Sequence, residues 1–119
     1  ESDPVIQDLK DTAATLDNCA GLAAPQIGHK LRIILVEVQG KATIMINPEI
    51  ISRKGKEAFG NESCFSVPVS MQHPKRVKRR YKVKVKYNDV EGYIVTKTFK
   101  SFEARLIQHE VDHLDGVLI

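Results

Sequence analysis

His109-Glu110-Val111-Asp112-His113 limits what this chain can fold into more than any other stretch. The pattern is H-E-x-x-H. Residues four apart lie one turn above each other on a helix, so the two imidazoles can converge on one metal ion only if this segment is helical. Glu110 is rotated by about 100° from His109, which sets its carboxylate beside the ion rather than among its first ligands. From there it can take a proton from an attacking water and pass it to a leaving group.

The helix that this requires is written into the flanking residues. Ser101 is a candidate cap, and Phe102, Leu106, His109 and His113 follow at spacings that put them on one face. Gly116 closes the helix. At the other end of the chain, Asp3 is a candidate cap and Pro4 suits a first turn. Val5, Leu9, Ala13 and Leu16 then form one apolar stripe. Asn18 to Gly21 ends that helix and opens a small-residue loop running to Gly28.

Between the helices the periodicity is that of strands. Leu31 to Val38 is apolar and β-branched enough for a buried strand, and Gln39-Gly40-Lys41 turns it into Ala42 to Ile46 as a hairpin. Asn47-Pro48 breaks that strand, and Ile50-Ile51 opens a short third one. Ser52 to Pro74 has Gly, Ser, Pro and charge without a period and reads as loop. Val77 to Tyr87 alternates, with Val83 and Val85 set against Lys82, Lys84 and Lys86, as a strand with one wet face does. Asn88 to Gly92 is a turn and Tyr93 to Phe99 the returning strand. The class is α+β, with small antiparallel sheets packed around a C-terminal helix, in a single domain over residues 1–119.

Composition agrees with an ordinary globular domain: 42% hydrophobic, 28% charged, net charge +3. No apolar run approaches the roughly 20 residues of a membrane span, and the N-terminus lacks the layout of a secretory signal. Two cysteines, Cys19 and Cys64, are too few for a disulfide scaffold, so a reducing compartment is expected. The charge is unevenly placed. Lys75, Arg76, Lys78, Arg79, Arg80, Lys82, Lys84 and Lys86 crowd one segment, which is either the wet face of a strand or a stripe for phosphate backbone.

Two histidines do not complete a catalytic metal site, which usually takes three protein ligands plus water. Asp115 is the only metal-binding side chain after His113, and it sits too close on the same helix end. The third ligand is therefore sought upstream, where Cys64 in Glu62-Ser63-Cys64-Phe65-Ser66 is the leading candidate. Gly21-Leu22-Ala23-Ala24-Pro25-Gln26-Ile27-Gly28 allows close backbone approach to a ligand, and the Gln26 amide could serve a developing oxyanion. Taken alone that segment is only a tight turn. His29 and His73 stand by themselves and read as surface residues.

Three ordered elements, G-L-A-A-P-Q from Gly21, E-S-C-F-S from Glu62 and Q-H-E-V-D-H-L-D-G from Gln108, together resemble the three signature motifs of peptide deformylases. The resemblance implies Cys64, His109 and His113 as metal ligands and Glu110 as general acid/base. It implies that Gln26 and the Phe65 N–H hold the formyl oxygen and that Gly21 lies against the substrate backbone. Ala20, Phe102 and Leu106 are placed by motif offset in the pocket for a Met side chain. The implied cofactor is one divalent metal ion, Fe2+ natively, with Zn2+ or Ni2+ able to replace it. The implied substrates are formyl-Met nascent peptides. That places the protein in bacterial-type cytoplasm or an organelle rather than outside the cell, with a ribosome contact through Lys75 to Lys86 as a further expectation.

Some positions depart from the family pattern. Cys19 replaces a glycine of the first motif, Ser63 a glycine of the second and Phe65 its leucine, and family members usually carry more residues at both ends. A Cys19–Cys64 disulfide, were the first two motifs to meet, would remove the thiolate. A general metallopeptidase, or a degenerate module that binds ribosomal RNA through the basic strand, are the competing readings.

Overall fold

Ile33, Ile34, Leu35 and Val36 are all buried in succession. Consecutive strand residues point to opposite faces, so a run like this requires cover on both sides of the sheet. A computed structural model, which describes residues 2–15, 20–62 and 75–116, shows what supplies it. Helix α1 (Ser2–Thr15) sends Val5, Ile6 and Leu9 into a cluster with Leu22, Ile33, Leu35 and Ile44. Helix α2 (Ser101–Leu114) sends Ala104, Leu106, Ile107 and Val111 into a second cluster with Ile34, Val36, Met45, Val83, Val85 and Phe99. Each fully buried Val, Leu, Ile, Met or Phe among them contributes roughly 1.5–3 kcal/mol.

The layer between the helices is one antiparallel sheet in the order β1-β2-β3-β4-β5. Its strands are β1 (Gly21–Ala23), β2 (Ile33–Val38), β3 (Lys41–Glu62), β4 (Lys75–Asn88) and β5 (Ile94–Lys100). The expected α+β arrangement is present, with the C-terminal helix laid across the sheet. β2 and β3 join through Gln39 and Gly40 at φ 50° and 79°, the two positive values a tight hairpin turn takes. Val38 faces Lys41 across it.

Asn47-Pro48 does not end the strand as expected. β3 continues through it to Glu62, so Ile50-Ile51 is no separate strand and Ser52 to Glu62 is not loop. The register slips between Ile46 and Glu49. Asn47 takes φ 51° and donates its N–H to the Arg32 carbonyl at 2.7 Å, while Pro48, with no N–H to give, is carried in the bulge. Two more slips, Ile50/Ser52 and Lys54/Glu57, absorb the remaining irregular residues, with Gly55 at φ 82° in the second. The rest of the expected loop, residues 63–74, lies outside the described residues.

β4 and β5 run close to expectation. Asp89 makes their turn by accepting the N–H groups of Glu91 and Tyr93, both at 2.9 Å. Val83, Val85 and Tyr87 are buried while Lys84 and Lys86 are exposed, as the alternation requires.

The helix ends differ in detail. α1 begins at Ser2, one residue before Asp3. Residues 21–27 are not loop but β1 followed by a 3₁₀ turn over Ala24–Ile27. Ser101 is not the cap of α2. It is the first helical residue, at φ 59°, and the extended Lys100 before it makes no side-chain cap bond. Glu103 occupies the first turn and accepts the Gln39 N–H at 2.9 Å, tying the helix start to the hairpin. Gly116, at φ 83°, donates to the His113 carbonyl and ends the helix as expected.

Candidate metal centre

α2 turns its chemical residues inward. His109, Glu110 and His113 are all buried, and Leu106 with them. Phe102 departs from the expected stripe: it is 62% exposed at the first turn. The potential ligand atoms of His109, Glu110 and His113 all lie within 4.8 Å of one another, and the two rings meet edge to face at 4.4 Å.

Hydrogen bonds fix the His113 ring. Its Nδ1 lies 3.1 Å from Glu110 Oε1 and 3.2 Å from Gln26 Oε1. Both partners are acceptors, so Nδ1 carries the proton and Nε2 keeps its lone pair. That Nε2 is buried with no hydrogen-bond partner. An orphaned buried polar atom costs about 1–3 kcal/mol, and a metal ion removes that cost. A neutral imidazole with one nitrogen tied to a carboxylate and the other bare is the usual state of a histidine ligand. The donor set therefore fits a divalent ion.

Gln26 comes from the 3₁₀ turn. Its Oε1 accepts the Ala23 N–H at 2.8 Å as well as facing His113, so the amide's carbonyl end is pinned and its NH2 end turned away from those partners. Ala23 lies in β1, which pairs with β2 through Ala23↔Ile34, so the sheet itself positions the amide. Gly21 on the same strand stands against α2: a β-carbon there would meet Glu110 Oε2 at 2.7 Å and Leu106 Cδ1 at 2.8 Å. Ala20 precedes it, half-buried, its carbonyl accepting the Glu37 N–H. Gly21, Gln26, Leu106, His109, Glu110 and His113 thus converge, with Ala20 beside them. Cys64, Phe65 and Cys19 lie outside the described residues, as does His73.

Asp115, Asp112 and His29 are engaged elsewhere. Asp115 pairs with Arg32 at 2.9 Å, away from the histidines. His29 binds Asp8 at 2.8 Å, linking the turn to α1. Asp112, between the two histidines in sequence, forms an ion pair with the buried Arg79 of β4. Gln108 donates to the Arg80 carbonyl at 3.0 Å. Together these hold the centre of α2 to β4. No periodicity pointed to Arg79 and Gln108, because 33 residues separate Arg79 from Asp112 and Arg79 stands within a run of surface-like charges.

The sequence profile described as polypeptide deformylase matches residues 1–119, and the chain is 42% identical to the peptide deformylase of Dictyoglomus thermophilum over 98% of its own length and 76% of the relative's. The chain belongs to the polypeptide deformylase family. It is similar also to the peptide deformylase of Pseudothermotoga lettingae, at 42% identity, spanning 96% of this chain and 64% of that protein. Among solved structures, a class I type b peptide deformylase from Acinetobacter baumannii bound to Met-Ala-Ser superimposes with a TM-score of 0.88 at 35% identity, covering 97% of this chain and 76% of the other. A probable peptide deformylase of Synechococcus phage S-SSM7 gives 0.86 at 29%, covering 97% and 78%. As a deformylase the protein is a metal-dependent hydrolase, and the buried His-Glu-His group on α2 is consistent with that dependence.

Proposed function

We propose that this deformylase hydrolyses the formyl amide of N-terminal formyl-Met on nascent polypeptides with His109, His113 and Cys64 holding its metal ion. The observation that carries the reading is the buried, partnerless Nε2 of His113 beside His109 and Glu110. Fe2+ is the proposed native ion, with Zn2+ or Ni2+ as replacements; two imidazoles and a thiolate suit all three. When bound, the ion supplies Lewis-acid polarisation and a water that ionises near neutral pH.

The chain's own residues do the rest. Glu110 takes the proton of the attacking water as the water oxygen bonds to the formyl carbon, then gives it to the amine nitrogen as the C–N bond breaks and formate leaves. The Gln26 NH2 donates to the formyl oxygen as charge develops there, helped by the Phe65 N–H. Because Ala23 fixes the amide's other end, the donor is set before substrate arrives. Gly21 lets the substrate backbone pass close to β1, and Ala20, Leu106 and Phe102 are assigned to the Met side chain. The general metallopeptidase alternative has no observation in its favour. A contact with the ribosome through Lys75 to Lys86 would set the enzyme beside emerging formylated chains.

Formate release from formyl-Met-Ala-Ser by anaerobically prepared, iron-loaded protein tests the reading. Glu110→Ala is expected to lose about 10²–10⁴-fold in kcat. A parent protein that released no formate, or a Glu110→Ala variant of undiminished rate, would contradict it.

A further inference from the structure

α1 packs on β1 and β2, so among the described residues the same face of the sheet is left open at β4 and β5, where Lys84, Thr98 and Lys100 are exposed. The ladder there places Lys54, Lys82 and Lys100 directly opposite one another on β3, β4 and β5, and in the next row Ser52, Lys84 and Thr98. Lys86 and Thr96 follow, with Glu49 across from Lys86. Like charges directly opposite on a sheet destabilise it. Among the described residues, none of Lys54, Lys82, Lys84 and Lys100 has a carboxylate within ion-pair distance, whereas Lys78 and Arg80 share Glu57 and Arg79 is buried against Asp112. Ser52, Lys54, Lys82, Lys84 and Thr98 line a shallow depression of about 240 Å³.

We propose that this face of β3, β4 and β5 docks the phosphate backbone of double-stranded RNA. Two rows of cations and hydroxyls, extended by Lys86 and Thr96 of a third row whose remaining member is Glu49, provide what backbone recognition uses: point charges for phosphates, with Ser and Thr hydroxyls for phosphate oxygens and 2′-OH groups. The rows hold no aromatic ring on which an unpaired base could stack. Beyond these rows the same face of β5 adds the exposed Ile94, a lone apolar side chain that is too little to enter a lipid surface or to form the centre of a protein interface. The active part of the basic segment is therefore Lys82 and Lys84, joined by Lys54 and Lys100 from neighbouring strands, rather than Lys75 to Lys86 as a linear stretch. The inference does not rest on the hydrolase reading, since the face involves none of the residues placed at the metal centre.

The test is binding of the full chain to an RNA duplex of about 16 base pairs, by fluorescence anisotropy across about 50–200 mM salt. The triple variant Lys54→Gln/Lys82→Gln/Lys100→Gln is expected to bind about tenfold or more weakly at the low-salt end, with the salt slope shallower by roughly 3. Lys30→Gln/Lys41→Gln, exposed lysines off this face, should bind as the parent does. Formate release should be kept in the triple variant, and its melting temperature should not fall, since opposed like charges are removed. If the triple variant does not fold, Lys82→Gln alone should still weaken binding and reduce the slope by about 1. Parent-like binding by the lysine variants would overturn the proposal. So would equal or tighter binding of a DNA duplex of the same sequence, or of phosphatidylserine vesicles.

Discussion

Gly21 of β1 and Glu110 of α2 pack so closely that a single methyl group between them would stand 2.7 Å from the Glu110 carboxylate. The glycine thus leaves the space that the Glu110 and Leu106 side chains occupy. β1 is held to β2 by its ladder and α2 is held to β4 by Arg79 and Gln108. What a β-carbon would meet is the Glu110 carboxylate and the Leu106 methyl, both side-chain ends, so these side chains rather than the backbones would have to shift. The same carboxylate fixes the proton on His113, so position 21 bears on the metal centre through one intervening side chain.

Gly21→Ala should therefore displace Glu110 or Leu106. Overpacking of this kind costs about 1–3 kcal/mol, read as a lower urea midpoint. In formate release, kcat should fall roughly tenfold to a hundredfold, with the metal content unchanged. A Gly21→Ala enzyme of parental kcat would mean that Glu110 is not placed by this contact.

The Arg79–Asp112 pair predicts a stability effect. Breaking a buried pair costs about 3–5 kcal/mol, but Asp112 is 28% exposed, so solvent will screen the abandoned carboxylate. Arg79→Met is expected to lose about 1–3 kcal/mol in urea unfolding, and Arg79→Met/Asp112→Leu to recover part of it. A single variant as stable as the parent would show that the pair does not hold α2 to β4.

The metal centre's elements were legible in sequence to the extent that they were local. H-E-x-x-H defines a helix face by itself, and β2, with its continuous apolar run, read as a buried strand. Asn47-Pro48 misled because a bulge can carry a proline that a regular ladder cannot, and bulges have no periodic signature. Ser101 misled because it offers a capping hydroxyl, while the helix start is held instead by Glu103 reaching the Gln39 N–H. Phe102 falls on the histidine stripe by spacing, yet at the first turn the sheet no longer covers it. The Arg79–Asp112 and Gly21–Glu110 relationships depend on which strands meet α2, which no local pattern records.

Burial, and secondarily the nearby Asp89, raises the Tyr87 hydroxyl above its ordinary pKa of 10.0. A raised folded-state value means that the unfolded chain loses this proton first. Stability from Tyr87 is thus complete below about pH 10 and is lost as pH climbs from there through the folded value. Thermal melts across that alkaline range should fall less steeply for Tyr87→Phe than for the parent. Superimposable pH profiles would show that the phenol does not contribute.

Metal-edge X-ray absorption on the anaerobically loaded protein tests the central claim most directly. One sulfur at about 2.3 Å and two nitrogens at about 2.0–2.1 Å are expected for a zinc-loaded sample, with the sulfur shell absent in Cys64→Ala and one nitrogen lost in His113→Ala. A parent spectrum with nitrogen and oxygen neighbours alone, or one unaltered by either substitution, would contradict the account.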